Sequence, residues 1–205
     1  MKNDNTKNQF LIEALKLFAE YGYDSVSVAQ IAEQVGCSAP ALYKHYQSKK
    51  ALFDAIIELS EVSYQERMKN IHELFWNSEK SDYFLTEQGQ IEFTAKLFDS
   101  ALYDEYPRLS RDLVSSVKPR NPELSKIYNQ RYIFSWYDFF SEIMKEHIAR
   151  GVFAEEDAEL MAYQYSSPVI LWIEACVREP HRKEEILAMI EKHIHHFFRI
   201  YKKNS

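Results

Sequence analysis

The sequence predicts an all-α protein, and three observations carry that prediction. Four glycines and six prolines in 205 residues leave room for long helices. Neither Asn-Gly nor Asp-Gly occurs, and no regular series of alternating strand-like segments can be read. Apolar residues instead recur at spacings of three and four along much of the chain. With 46% hydrophobic residues there is material for a substantial core, in one unit or in a small head on a larger body.

A first helix is expected from Thr6 to Tyr21, with Phe10, Leu11, Ala14, Leu15 and Phe18 at helical spacing and Gly22 as its stop. Ser27 then stands as an N-cap with Gln30 three residues on, a capping-box pattern in which each end satisfies a free backbone donor of the other. Val28, Ile31, Ala32 and Val35 form the inward face of this second helix, and Gly36 provides a turn without a Cβ penalty. Ser38 is expected to cap a third helix with Pro40 in its first turn, where a missing N–H costs little, and with its end near Tyr46. Leu42 and Tyr46, four apart, pack inward, which leaves Ala39, Pro40, Ala41, Lys44 and His45 available to a groove, with Tyr43 towards its edge. Ser48 caps the next helix and puts Lys49 and Lys50 on a first turn whose free donors and dipole favour an anion such as phosphate.

Beyond the head, the helix leaving Ser48 carries Leu52, Phe53, Ile56 and Ile57 on one face and is expected to reach Trp76 as a lever between head and body. A loop is expected over Asn77 to Asp82, and a helix between Thr86 and Leu102. Pro107 opens a short helix that ends before a proline-rich break from Lys118 to Pro122. A long helix then runs from Pro122 or Glu123 until Gly151 ends it, another from near Glu156 to Arg178, and a last one from about Arg182 to Lys202. Pro168 inside the second of these should free a backbone carbonyl near Gln164 and kink the helix.

From Gly22 to Leu52, the residues Gly22, Tyr23, Ser27, Ile31, Ala32, Gly36, Ser38, Leu42, Tyr43, His45, Tyr46, Ser48, Lys49 and Leu52 stand at a spacing that resembles the TetR family of one-component bacterial regulators. The detailed match covers about the first quarter of the chain. The resemblance implies a three-helix helix-turn-helix head over about residues 1–50, with the motif near 27–46. Behind it, over 51–205, it implies a larger antiparallel helical effector-binding and dimerisation domain. It also implies binding to double-stranded operator DNA as a homodimer, and repression relieved by a small molecule. The DNA-contacting candidates are Ser27, Ala39, Pro40, Ala41, Tyr43, Lys44, His45 and Lys49. Two departures matter: many members carry glycine where this chain has Pro40, and often an arginine early in the first helix where this one offers Lys7.

The formal net charge of −6 is unlike that of a nonspecific nucleic-acid binder. Even the head, through Glu58, holds six lysines against seven carboxylates. The distribution favours DNA nonetheless, because Lys44, His45, Lys49 and Lys50 surround the recognition helix and no acidic residue occurs from Gln34 to Phe53. Weak background attraction makes binding depend on two heads acting together.

The last helix carries the stripe Ile186, Leu187, Ile190, Ile194, Phe197, Phe198 and Tyr201, which either lies inside one chain or pairs with a second. The resemblance favours the pairing, which assigns Ile186, Ile190, Ile194, Phe197, Phe198 and Tyr201 to a dimer interface. Aromatic residues are 15% of the chain and crowd the body. Most serve as core, but a subset lining a cavity suits a flat or lipophilic effector; the candidates are Tyr132, Trp136, Phe139, Tyr165, Trp172 and Glu174. Glu174 is the unusual member, a charge in an otherwise apolar run, set either to face a cationic ligand or to meet solvent or a basic residue across a dimer.

Other classes find less support. No phosphate-binding glycine loop, Gly-x-Ser-x-Gly elbow, His-Glu-x-x-His or paired-cysteine site occurs, so the chain reads as a non-enzyme without a cofactor. His193, His195 and His196 sit near a helix end, where they suit the helix dipole without a metal. Cys37 and Cys176 form no disulfide framework. The N-terminus is polar and the most apolar run, Pro168 to Val177, is short and charged, so a cytoplasmic protein without a membrane span is expected. The remaining alternative is a helical interaction module that has kept a regulator-like head.

Overall fold

The computed structural model describes residues 2–77, 79, 81–117 and 121–203, and among these no strand occurs. The helices are α1 (Lys2–Tyr21), α2 (Val28–Gln34), α3 (Ala39–Tyr43), α4 (Lys49–Trp76), α5 (Ser81–Phe84), α6 (Glu87–Tyr103), α7 (Glu105–Val117), α8 (Pro122–Asn129), α9 (Ser135–Ala149), α10 (Ala158–Arg178) and α11 (Lys183–Tyr201). The all-α expectation holds. So do most boundaries: α4 ends at Trp76, Thr86 caps α6 by accepting from Gly89 N, and Asp157 caps α10 by accepting from Glu159 and Leu160 N. Two elements of the body differ. The loop expected from Asn77 to Asp82 stops short at residue 81, where α5 begins, and the long helix expected from Pro122 to Gly151 is interrupted by a π-helical turn, Gln130–Phe134, within which Arg131 is buried. Of the proline-rich break, residues 118–120 lie outside the described residues.

Packing divides the chain into two units. The first comprises Met1–Arg67 and Glu105–Tyr128. Its core is built from the inward faces of α1 to α4, with Phe10, Phe18, Ile31, Leu42, Leu52 and Ile56 at most 1% exposed, and Leu109 and Leu113 of α7 joining them. This unit therefore extends past residue 50, because α7 supplies apolar cover for α1.

The second unit comprises Met68–Asp104 and Asn129–Ser205. Its core is aromatic: Phe75, Phe93 and Phe139 meet edge-on or tilted at 4.7–5.8 Å, and Tyr165 sits between Phe140 and Phe197. Polar groups in this core are tied in sequence. The Tyr165 hydroxyl donates to Gln90 Oε1 at 3.0 Å, and Gln90 Nε2 donates to the Phe84 carbonyl at 2.6 Å, which links α10, α6 and α5. Burial pushes the Tyr165 phenol far above its ordinary pKa, so it stays a donor. His147 stacks on Phe153 with its ring nitrogens against the Ile143 and Leu85 carbonyls at 2.8 and 2.6 Å. Burial lowers its pKa, and the two carbonyls pull the other way.

The apolar stripe of α11 is used within the chain. Ile186, Ile190, Ile194, Phe197 and Phe198 are 0–8% exposed in the second core, with Tyr201 packed against it. The assignment of five of these, Ile186, Ile190, Ile194, Phe197 and Phe198, to a dimer interface is therefore corrected, because atoms already enclosed in the core of their own chain have no surface to offer a second one, whereas Tyr201 is only partly buried. The outward faces of α10 and α11 carry other apolar residues, Leu160, Tyr163 and Leu171 on one and Met189 and Ile200 on the other, each exposed by more than two fifths.

The proline in α10 has a partial counterpart to what was expected. Pro168 lies inside the helix, and a side-chain donor does arrive at this turn, but at the Tyr165 carbonyl, from His193 Nε2 at 2.9 Å. The neighbouring histidines are engaged separately: His195 with Glu87 and Glu191, and His196 with Arg199.

Candidate nucleic-acid interface

The capping box forms as expected. Ser27 Oγ accepts from Gln30 N at 3.2 Å while Gln30 Oε1 accepts from Ser27 N at 2.7 Å, which fixes the start of α2 and leaves Ser27 exposed. Gly36 ends the helix at φ 70°, a left-handed conformation that costs glycine nothing. Its N–H reaches the Glu33 carbonyl and the Cys37 N–H reaches the Ala32 carbonyl, so the turn satisfies two carbonyls that the helix end exposes.

The third helix is shorter than expected, ending at Tyr43, with His45 N and Tyr46 N both bonded to the Leu42 carbonyl in the turn that follows. Ser38 marks its start by backbone geometry alone, since its side chain makes no cap bond; the Ser38 carbonyl receives Ala41 N and Leu42 N. Leu42 and Tyr46 are buried, as their spacing demanded. Pro40, Tyr43 and Lys44, at positions i, i+3 and i+4, lie exposed on the opposite face, with Ala39 and Ala41 half-buried beside them. This face is small at its front and basic at its end, and Tyr43 is 51% exposed with its hydroxyl end polar.

The remaining candidates are more constrained. The His45 ring tilts against Phe10 at 5.8 Å, so the side chain is half-buried. Lys49 is half-buried with its ammonium 4.3 Å from the Tyr23 ring centre, while Ser48 Oγ caps α4 by accepting Ala51 N at 3.0 Å. Lys50 is paired with Asp54 at 2.6 Å, which raises its pKa. Lys7 approaches the Tyr46 ring at 5.8 Å, and its carbonyl accepts the Tyr46 hydroxyl at 3.4 Å. The head thus holds Lys7 and Lys49 by cation–π contact and Lys50 by ion pairing.

The effector candidates separate. Tyr132, Trp136 and Glu174 line one cavity with Phe140, Val169 and Ile173, but its volume is about 30 Å³. Phe139 and Tyr165 are core residues at 5% and 0% exposure, and Trp172 packs partly against that core without lining the cavity. Glu174 is bonded to Arg178 one turn on at 3.1 Å, so its basic partner lies in its own helix and not across a dimer. The expected ligand chamber is closed, since about 30 Å³ is the share of one water in the liquid.

Sequence reasoning passed over two features. The outward residues Leu160, Tyr163 and Leu171 of α10 recur at helical spacing, but the helix is apolar on its inner side as well, and that masks the second stripe. A groove in the first unit brings together residues from the α1–α2 turn, α4 and α8, and no local pattern announces a contact of such separation.

The profile of bacterial regulatory proteins, tetR family, matches residues 10–56. Over 58 residues the chain is 34% identical to the HTH-type transcriptional activator FasR of Mycolicibacterium smegmatis, which is 28% of this chain and 26% of that one. Over 51 residues it is 41% identical to the class A tetracycline repressor protein from transposon 1721 in Escherichia coli, 25% and 24% of the two chains. The chain therefore matches about a quarter of the length of these relatives. The fold likeness extends further: a TetR-family regulator from Mesorhizobium loti superposes with a TM-score of 0.71, 98% of this chain and 99% of that one covered, at 18% identity. The capped α2, the glycine turn and the short α3 fall inside the matched residues, and the full set of helices is similar in fold to that structure; residues 10–56 thus match the TetR family of bacterial regulatory proteins.

Proposed function

We propose that the chain is a sequence-specific DNA-binding transcriptional regulator, a repressor that acts as a homodimer and leaves its operator when a small organic effector binds. The observation that carries this reading is the exposed face of Pro40, Tyr43 and Lys44, held against a core by Leu42 and Tyr46 directly after a capped helix and a glycine turn. Two of the relatives illustrate both signs of regulation, one being named an activator and the other a repressor. The helical interaction module is disfavoured because a chain that never met DNA has no physical need of an exposed Tyr43 and Lys44 on a face free of carboxylates.

Lys44 reads a base edge, most naturally guanine, and Tyr43 and Lys49 hold phosphate. Ser27, Ala39, Ala41 and His45 complete the contact surface. The second copy meets the outward faces of α10 and α11 through Leu160, Tyr163, Leu171, Met189 and Ile200, since the inner stripe is enclosed. The effector is lipophilic or aromatic and enters beside Tyr132, Trp136 and Glu174. Because that cavity is closed, binding must part α9 and α10, and the ligand selects an opened state. An identified effector that released Trp136→Ala from DNA at wild-type concentrations would remove this cavity from the account.

The test is binding to DNA from the chain's own promoter region, followed by two substitutions. Lys44→Ala should cost about 1–3 kcal/mol on the best operator and little on altered sequences. Lys49→Ala should weaken all sites alike and flatten the salt dependence by about one phosphate contact. Equal losses from both changes on every sequence would show that Lys44 touches only the backbone, and no retardation at all would favour the interaction module.

A further inference from the structure

We propose that the first unit carries a binding site for an organic cation with an apolar body, in the groove formed by the α1–α2 turn, the first turns of α4, and α8. The groove has a volume of about 930 Å³, within the range of small-molecule sites and far larger than the cavity beside Trp136. All its described lining residues belong to the first unit.

The lining has two kinds of surface. Tyr23 and Phe53 meet edge to face at 4.9 Å and form an aromatic wall, and Ile57, Leu124 and Ile127 add aliphatic area. One face of Tyr23 already holds the Lys49 ammonium, 4.3 Å from the ring centre, so the ring offers the groove its remaining surface. Around this wall stand Asp24, Glu58 and Glu123, together with the Lys50–Asp54 pair. Among the described lining residues four are carboxylates and Lys50 is the one basic group, and its charge is answered by Asp54 at 2.6 Å. The field of these groups crosses the groove: after the hydrogen bond to Asp54 and its charge, Glu123 on α8 also raises the Lys50 pKa.

Aromatic and aliphatic walls bind apolar bodies of any charge, so the carboxylates decide the sign of the ligand. A concave surface with low-dielectric walls concentrates their field, which attracts a cation and repels an anion of the same shape. An occupant would touch Tyr23 and the first turns of α4, the elements that hold Lys49, so the site lies beside the DNA-contacting surface without using its residues. The binding itself does not rest on the DNA-reading function.

The experiment is fluorescence anisotropy on the full chain without DNA, using rhodamine 6G, a rigid aromatic cation, and fluorescein, an anion with the same ring system. Rhodamine 6G should bind at least about ten-fold more tightly than fluorescein, and Glu58→Gln with Glu123→Gln should weaken it about ten-fold. Glu58→Gln alone, should the double variant melt early, should weaken it about three-fold. Glu155→Gln, an exposed carboxylate in the other unit, should leave the dye affinity unchanged. Equal affinity for the two dyes, indifference to the Glu58 and Glu123 changes, or an equal loss caused by Glu155→Gln would each overturn the site. Since no DNA is present, such a failure would leave the regulatory reading intact.

Discussion

A chain carrying Gly89→Ala should lose about 3 kcal/mol or more of stability in its second unit, with a fall in melting temperature of roughly 6–12 °C. Gly89 lies in the first turn of α6, where α5 approaches so closely that an added Cβ would press into the Tyr83 carbonyl oxygen and stand 2.8 Å from Phe84 Cα. Both obstacles are backbone, so no side-chain rotation relieves them. The same turn holds Thr86, whose hydroxyl accepts Gly89 N, and Gln90, whose amide donates to the Phe84 carbonyl. Displacing it therefore disturbs the polar chain that runs on to Tyr165. Hydrogen exchange should show the loss in the second unit, with Ile31 and Leu42 amides in the first protected as before. A variant that melts with the wild type would mean that α5 can move away at no cost.

Phe197→Ala should cost about 3–5 kcal/mol, because it removes a ring enclosed by Tyr165, Phe153 and Tyr201 at centroid distances of 5.1, 5.9 and 4.6 Å. Phe197 is 3% exposed, so the cost belongs to the fold of one chain. An interface residue would behave differently, since weakening association makes the melting temperature depend on protein concentration. The loss from Phe197→Ala should stay the same across a hundred-fold range of concentration. A deficit that vanishes at high concentration would return this residue to the dimer interface.

Sequence pattern alone made much of the head legible, because its signals are local. Ser27 and Gln30 are three residues apart and cap each other; Leu42 and Tyr46 are four apart and bury together; Gly36 supplies the positive φ that its turn requires. The body was less legible for the opposite reason. The α11 stripe has the same periodicity whether it faces a neighbouring helix of its own chain or another copy, and only the tertiary packing of α6, α9 and α10 decides between them. The aromatic residues of α9 and α10 posed a similar ambiguity, since Phe139 in the core and Trp136 at a cavity are chemically alike in sequence. The end of α3 at Tyr43 and the π-helical turn at Gln130–Phe134 are departures of a turn or less, below what hydrophobic spacing resolves.

The most direct measurement of the central claim is selection of bound sequences from a random DNA library by the purified chain, repeated with Lys44→Ala. The account predicts that the wild type enriches a two-fold symmetric site whose half-sites lie one helical turn apart or a multiple of it, and that Lys44→Ala relaxes the choice at a single position in each half-site. Enrichment of no sequence, or of a site that Lys44→Ala leaves unaltered at every position, would contradict it.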